Sequence, residues 1–474
     1  MDGLIYAYHL PNSAAQRKYA QAQVAKKLRE RKLSEDSIGH VERTNSEKSS
    51  SQYSREVEIL PLQRTRSVPQ TSREPKDDAV GAMAEIKRAD TGSLTSSSAS
   101  SSHSNHAYES LLSNPFELRH GRRYLRDLPY PLPCDLQEIQ RQNLATLLSC
   151  SVFGRVVCSP RVTTPRKVLE VGCGSAYWST LCHDHFSKAG YKDVSFTGLD
   201  IAPLAPDLKK QGINWTFVQH DVRRIPLPFD DEQFDLIMLK DLSMCLPLGV
   251  PFQQFLDECI RLLREGGTLE IWESDHVLRS LLPHPPPPSS KQAKDQEIAV
   301  KTGTFLIGPG TPFAPAQNKY LNHANSWIQE ALGRRKLPPI PCARIAQLLY
   351  QETDTLSDVG IRRIAIPLGE LRWERDSHKH GRSQSAAEAK GKARVGEKSL
   401  TADQIALRQT ALLIVVQMVE SLEPLLMDVA GKNTEEWSHW WASMMADLMD
   451  PNKGAASGEC LEVGAWWAVK KTEE

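Results

Sequence analysis

The sequence predicts an α/β fold: an open, doubly wound, mostly parallel sheet with helical insertions and a disordered N-terminal tail. Three observations predict it. Short apolar runs alternate with helix-like segments across residues 131–274, the pattern of successive β-α-β units. The run "KVLEV" stops at Gly172-Cys173-Gly174 and gives way to helical composition, so a strand turns directly into a helix. Residues 34–113 are rich in Ser, Arg and Glu and include "SLTSSSASSSHS", which buries too little apolar surface to offset its ordering entropy.

Within the tail (residues 1–113), "AAQRKYAQAQVAKKLRERKL" at 14–33 is basic and rich in helix formers, so a helix is expected there, solvated or presented to a protein partner. The ordered domain is expected over 114–474, with its core at 131–274. Asp135 caps a first helix, with Glu138 three residues on and Leu136, Ile139, Leu144, Leu147 and Leu148 at helical spacing. Strands follow near 166–171, 194–200, 214–218, 234–240 and 268–273, with helices near 176–188, 204–211 and 252–264. "LLPHPPPPSSKQAKDQE" reads as a polyproline surface loop inside a segment of added helices and loops, 275–350, whose helices fall at 320–334 and 342–351. A strand at 361–369, a low-complexity insert at 375–399, a helical insertion at 401–449 and a strand at 460–470 close the chain. That makes seven strands, joined by right-handed crossovers where they run parallel.

Composition excludes several classes. Lys plus Arg and Asp plus Glu number 58 each, so no global field draws in nucleic acid or an anionic membrane. The nine cysteines form no CxxC pair, which argues against a zinc site or disulfide framework and for a reducing compartment. Cys182 and His185 share a helix face but have no evident third ligand, and no metal is expected. The N-terminus lacks a secretory pattern. The most apolar run, 411–427, carries Gln417, Glu420, Glu423 and Pro424, which suits a buried helix better than a membrane span. A soluble protein of the cytoplasm or nucleus is expected.

The glycine loop at the carboxyl edge of the sheet is the candidate site. Glycine lets the backbone take positive φ and approach a ligand closely. Glu170, two residues before Gly172, would repel a phosphate and suit an amine. Asp200 ends the second strand, where an acid accepts hydrogen bonds from ribose hydroxyls. Asp221 follows the third strand and could meet an adenine amino group. The plainer reading of Glu170 is a carboxylate that caps the next helix. Together the acids suit a ligand with an ammonium, a ribose and an adenine but no phosphate, and S-adenosylmethionine (SAM) has those parts.

These residues resemble the class I SAM-dependent methyltransferases. "VLEVGCGSAYW" is similar to that family's first motif, "GLD" to its ribose acid, "QHDVRRIPLPFDDEQFDLIMLKD" to its adenine loop and fourth strand, and "ECIRLLREGGTLEIWE" to its fifth-strand region. More loosely, "GRRYLRDLPYPLPCDLQEIQRQNL" resembles the lead-in of fungal methyltransferases related to the velvet-complex regulators of secondary metabolism. Ala176 stands where the family often has a third glycine. The resemblance implies a seven-stranded sheet with the last strand antiparallel. It also implies that Glu170 holds the methionine ammonium directly or through water, Gly172 and Gly174 border the methionine, Asp200 meets the ribose, Asp221 and Val222 the adenine, and Leu239 the sulfonium. Lys240 and Asp241, directly after the fourth strand, are the best-placed catalytic candidates, with an ion pair or a solvent-facing role as the alternative. Segments 122–130 and 275–350 are expected to complete the cleft through Tyr124, Tyr130, Pro312, Phe313 and Trp327. The activity implied is SAM-dependent methylation of a small molecule or protein. The second reading is a non-catalytic SAM-binding regulator or scaffold.

Overall fold

The structure is a computed structural model, and it describes residues 108–472 apart from 163, 248, 284, 287–291, 376–398, 451–454 and 456. The expected basic helix at 14–33, the tail up to 107 and nearly all of the 375–399 insert lie outside the described residues. Residues 108–113, expected to belong to the tail, are helical instead, and the Tyr108 hydroxyl accepts from the Asp221 amide at 3.2 Å.

Each strand of the parallel core is a largely apolar run with a glycine or an acid at its end or within two residues of it. β3 (Lys167–Val171), β4 (Ser195–Asp200), β5 (Trp215–Gln219) and β6 (Phe234–Lys240) pair in parallel, and β7 (Leu263–Ser274) joins β6 in the same sense. β12 (Glu459–Lys470) lies antiparallel against β7, and β11 (Leu356–Pro367) lies antiparallel against β12. The spatial order is therefore β5-β4-β3-β6-β7-β12-β11. Those are the seven expected strands. Three short strands extend the same sheet to ten: β8 (Arg279–Leu281), β9 (Phe305–Leu306) and β10 (Phe313–Pro315).

Two elements differ from expectation. The helix expected at 204–211 is only a 3-10 turn at Leu208–Gln211, because Pro203 and Pro206 remove amide donors and hold the chain extended before it. A hairpin not expected at all, β1 (Phe116–Arg119) with β2 (Arg122–Leu125), turns through His120 and Gly121, both at positive φ. That is the geometry a two-residue hairpin loop requires.

Helices cover both faces. On one face lie α1 (Leu136–Phe153), α2 (Tyr177–Lys188), α5 (Lys319–Arg334), α7 (Ala402–Ser421) and α9 (Thr434–Leu448), sharing one core with Trp178 and Trp437. On the other lie α3 (Val250–Leu262) and α6 (Ile345–Gln351). α4 (Ala293–Thr302) packs beside α1 and α7. Asp135 caps α1 as expected, accepting the Glu138 amide at 3.1 Å.

The expected helical stretch 401–430 is broken: α7 and α8 (Glu423–Ala430) meet at 66°, with Pro424 in the first turn of α8. Among the described residues no single helix is long and apolar enough to cross a membrane. The insertion is tied to the body by charge as well as packing. Arg408 of α7, 2 % exposed, donates to Glu374 and to the carbonyls of Gly303 and Gly369. Ser421 at its end donates to the buried Glu138 of α1 at 2.7 Å.

Candidate functional site

A cleft opens at the carboxyl ends of β3, β4 and β6, where loops leave parallel strands. Gly172 (φ +65°) and Gly174 (φ +50°) form its floor. A side chain at Gly172 would meet Leu242 Cδ2 at 2.6 Å, whereas at Gly174 the nearest atom is Gln142 Oε1 at 3.8 Å, so the loop surface stays open at Gly174. Asp200 braces that loop: its Oδ2 accepts the Gly174 amide at 2.8 Å and its Oδ1 the Ala202 amide at 3.1 Å. Burial pushes the Asp200 carboxyl up from its ordinary value, against those amides.

Asp221 and Val222 lie along the same cleft, with Arg223 gripping Asp221 through Nε and Nη2. Burial raises the Asp221 carboxyl, but the Arg223 guanidinium outweighs it and holds the group below the usual range. Ala176 takes positive φ (+55°) at the entry to α2, the conformation glycine adopts most easily.

Two expected ligand residues stand behind the cleft, outside its lining. Glu170 is 2 % exposed, and its Oε2 takes both the amide (3.2 Å) and the hydroxyl (2.6 Å) of Ser179 in the first turn of α2. Burial pushes its carboxyl up to about 7. This is the helix-capping geometry. Leu239 is 1 % exposed and packs into the core on the α3 side.

Lys240 and Asp241 do line the cleft, joined by an ion pair of 2.7 Å. Burial disfavours both charges, yet each holds the other charged, with the Lys240 ammonium above and the Asp241 carboxyl below their ordinary values. Neither is then an ordinary free base. The remaining cations of the lining are also paired, Arg141 with Glu138 at 2.6 Å and Arg223 with Asp221 at 2.7 Å. A phosphate would find no uncompensated cation among the described lining residues.

The outer walls come from both sides of the sequence. Leu125, Leu128, Pro129 and Tyr130 precede α1, and Ile414, Val415 and Met418 belong to α7. Of the five side chains expected to complete the cleft, only Tyr130 lines it. Tyr124 is core, Phe313 lies under the Arg279 guanidinium, Pro312 is outside the lining, and Trp327 packs on Trp437 and Trp440. The Trp327 position follows from the α5–α9 contact, which buries an aromatic stripe that helical spacing alone could not assign to core or cleft.

Sequence reasoning missed a polar group at the end of β7. Glu273 Oε1 and Oε2 accept the amide (2.8 Å) and hydroxyl (2.7 Å) of Ser243, and Ser243 Oγ lies 3.1 Å from Nε2 of His276, which lines the cleft. The signal was available: "ESDH" closes the fifth parallel strand and runs past its carboxyl edge. Nearby, Asp275, Cys342 and Glu462 place ligand atoms within 4.8 Å of one another. Glu462 is engaged by Arg279 and Arg363, so the trio is charge-compensated and we assign no metal to it.

Residues 168–267 match the family described as "Methyltransferase domain". With the strand order and the glycine loop, this decides the family of the core. Residues 168–267 carry a methyltransferase domain.

Among curated proteins the chain is similar to methyltransferase pytC of Aspergillus terreus, 26 % identical over 219 residues, 46 % of this chain and 61 % of that protein. It is also similar to a phthiotriol/phenolphthiotriol dimycocerosates methyltransferase of Mycobacterium leprae, 34 % identical over 153 residues, 31 % of this chain and 49 % of that protein. The chain thus spans between about half and three fifths of these relatives. Among solved structures it is similar to a putative sarcosine dimethylglycine methyltransferase from Galdieria sulphuraria, at 14 % identity and a TM-score of 0.30, covering 70 % of this chain and 86 % of that one. No chemistry is drawn from that last likeness.

Proposed function

We propose that the chain binds S-adenosylmethionine in this cleft and transfers its methyl group to a small molecule or a protein side chain. The observation that carries the reading is the Asp200-braced glycine loop in a cleft whose cations are all neutralised. Such a surface accepts hydroxyls and amines and leaves a pyrophosphate uncompensated, which suits a phosphate-free nucleoside ligand.

In this reading Gly172 and Gly174 border the methionine, Asp200 takes the ribose hydroxyls, and Asp221 with Val222 faces the adenine. Glu170 acts from behind by anchoring the first turn of α2, and Leu239 supports the loop as core. The cofactor supplies an electrophilic methyl on a sulfonium. The chain's own part is to hold the acceptor in line with that carbon and to exclude water, and such positioning can supply much of the rate. Ile414, Val415 and Met418 of α7 close the acceptor side with apolar surface. We place this activity inside the cell, in cytoplasm or nucleus, in keeping with nine free cysteines. Incubating the full chain with methyl-labelled SAM and a cell extract tests the transfer: label in a metabolite or protein supports it. No labelled product from a chain that binds SAM would leave a non-catalytic SAM-binding regulator.

A further inference from the structure

We propose that His276 is the proton acceptor for methylation of an acidic hydroxyl, a phenol or enol, on a largely apolar acceptor, and that Glu273 acting through Ser243 sets which ring nitrogen is free. The inference rests on the proposed methyl transfer and deepens it by naming the acceptor class.

The hydrogen bonds carry the assignment. A serine hydroxyl has one proton, and Ser243 gives it to Glu273 Oε2 at 2.7 Å. Facing His276 Nε2 at 3.1 Å, the same oxygen must then accept, so Nε2 carries the ring proton. Nδ1 is left with a lone pair and has no hydrogen-bond partner among the described residues, on a ring that lines the cleft. The backbone holds the ring in place, with the His276 amide donating to Pro339 at 3.0 Å. The cleft that the ring lines is mostly apolar, with Leu132 before α1, Leu148 on α1, Ile414 and Met418 of α7 and Val463 of β12 among its walls.

The charged neighbours keep this ring neutral. Burial pushes His276 down to about 4, with Asp241 acting upward and Arg141 downward. A neutral imidazole that weak takes a proton readily only from an acidic hydroxyl, which is why a phenol or enol fits and a simple alcohol does not. In the step, the acceptor oxygen forms a bond to the methyl carbon and the carbon–sulfur bond breaks, its electron pair going to sulfur. The O–H proton passes to Nδ1, giving an imidazolium that releases it to water.

Glu273 supplies a switch. Its carboxyl is pushed up to about 8 by burial first and then by Asp241, with Ser243 and Lys240 opposing. The Cys342 thiol, whose Sγ lies 3.5 Å from the Glu273 carbonyl, is itself pushed well up by burial and stays neutral. Oε1 is held by the Ser243 amide, so a proton on Glu273 sits on Oε2 and donates to Ser243, which then donates to Nε2. The ring proton moves to Nδ1 and the base is lost. The base-competent tautomer therefore appears as pH rises through about 8.

The test is histidine-labelled NMR on the full chain, which reads the His276 tautomer from its ring nitrogen shifts, with His276→Asn for assignment. The expected result is Nδ1–H at pH 7 and Nε2–H at pH 9. Glu273→Gln, whose amide must donate to Ser243, should hold Nδ1–H at both, and Ser243→Ala should abolish the pH dependence. One tautomer at both pH values in the wild-type chain, or no effect of Ser243→Ala, overturns the proposal. In a second arm, 2-naphthol and 2-naphthylamine are offered with methyl-labelled SAM. Transfer to naphthol that falls about 10²–10⁴-fold in His276→Asn, with SAM affinity kept, supports it. Preference for the amine, or naphthol transfer surviving the substitution, overturns it. If neither is methylated, the tautomer result decides alone. Calorimetry with SAM on the wild-type chain separates the two readings: absent binding sinks the methyl-transfer reading itself.

Discussion

Replacing Glu170 with Gln separates a helix anchor from a ligand to the cofactor. The folded chain holds the Glu170 proton more tightly than the unfolded chain does, because the carboxyl titrates near 7 when buried and near 4.5 when free. Below 4.5 both states are protonated and the group costs nothing. As pH rises through 7 the buried charge comes to oppose folding, by about 3 kcal/mol at about 1.4 kcal/mol for each tenfold difference in proton affinity. Gln is neutral and keeps an acceptor for the Ser179 amide or hydroxyl. Urea unfolding of wild type and Glu170→Gln should therefore show a stability difference that moves in the variant's favour by about 3 kcal/mol between pH 4 and pH 8. Taking the difference removes the groups common to both chains, including Asp275 and Glu273, which also titrate high. SAM affinity should change less than about threefold, whereas losing a charge-assisted bond to an ammonium would cost about 1.5–3 kcal/mol, tenfold or more. A pH-independent difference, or a tenfold loss of affinity, would refute the assignment of Glu170 to α2.

Three further outcomes follow from packing and charge. Gly198→Ala would place a Cβ 2.1 Å from Trp215 Cη2 and 2.8 Å from Cys173 Sγ, so it should destabilise by about 1–3 kcal/mol in urea unfolding, with recovery when Trp215 is also made Leu. Trp437→Ala empties a site 2 % exposed whose ring lies tilted against Trp440, centroids 4.8 Å apart, and should cost about 3–5 kcal/mol by the same measurement. Asp241→Asn removes the partner of the buried Lys240 and the carboxylate that favours a charged His276, so turnover at pH 9, where Glu273 is already ionised, should fall while calorimetric SAM affinity stays nearly unchanged. Equal turnover would remove Asp241 from the catalytic candidates.

The sheet was legible because its strands are apolar runs bounded by glycines and acids. Phe234–Lys240 is the clearest, apolar from Leu236 to Leu239, with Asp235 near its start accepting the Arg166 and Lys167 amides. Asp200 and Asp221 were legible for the same reason, standing where strands end. The failures have local causes. Residues 204–211 carry helical composition, but two prolines break the turn. The β1–β2 hairpin hides because "FELRHGRRYL" has no clean alternation, and only the His-Gly pair marks it. Glu170 shows the limit of reading chemistry from spacing: a carboxylate before a glycine loop can face the ligand or the next helix. Only the fold reveals that Ser179 takes it. The Glu273–Ser243–His276 chain joins residues 30 and 33 positions apart, a separation no local pattern spans.

The central claim is that the Asp200-braced loop binds SAM, and isothermal calorimetry of the full chain tests it most directly. Titration with SAM should give saturable binding of one ligand per chain, with the heat lost in Asp200→Ala, where the ribose acceptor and the brace on the Gly174 amide disappear together. Saturable binding of NAD with no response to SAM would contradict it.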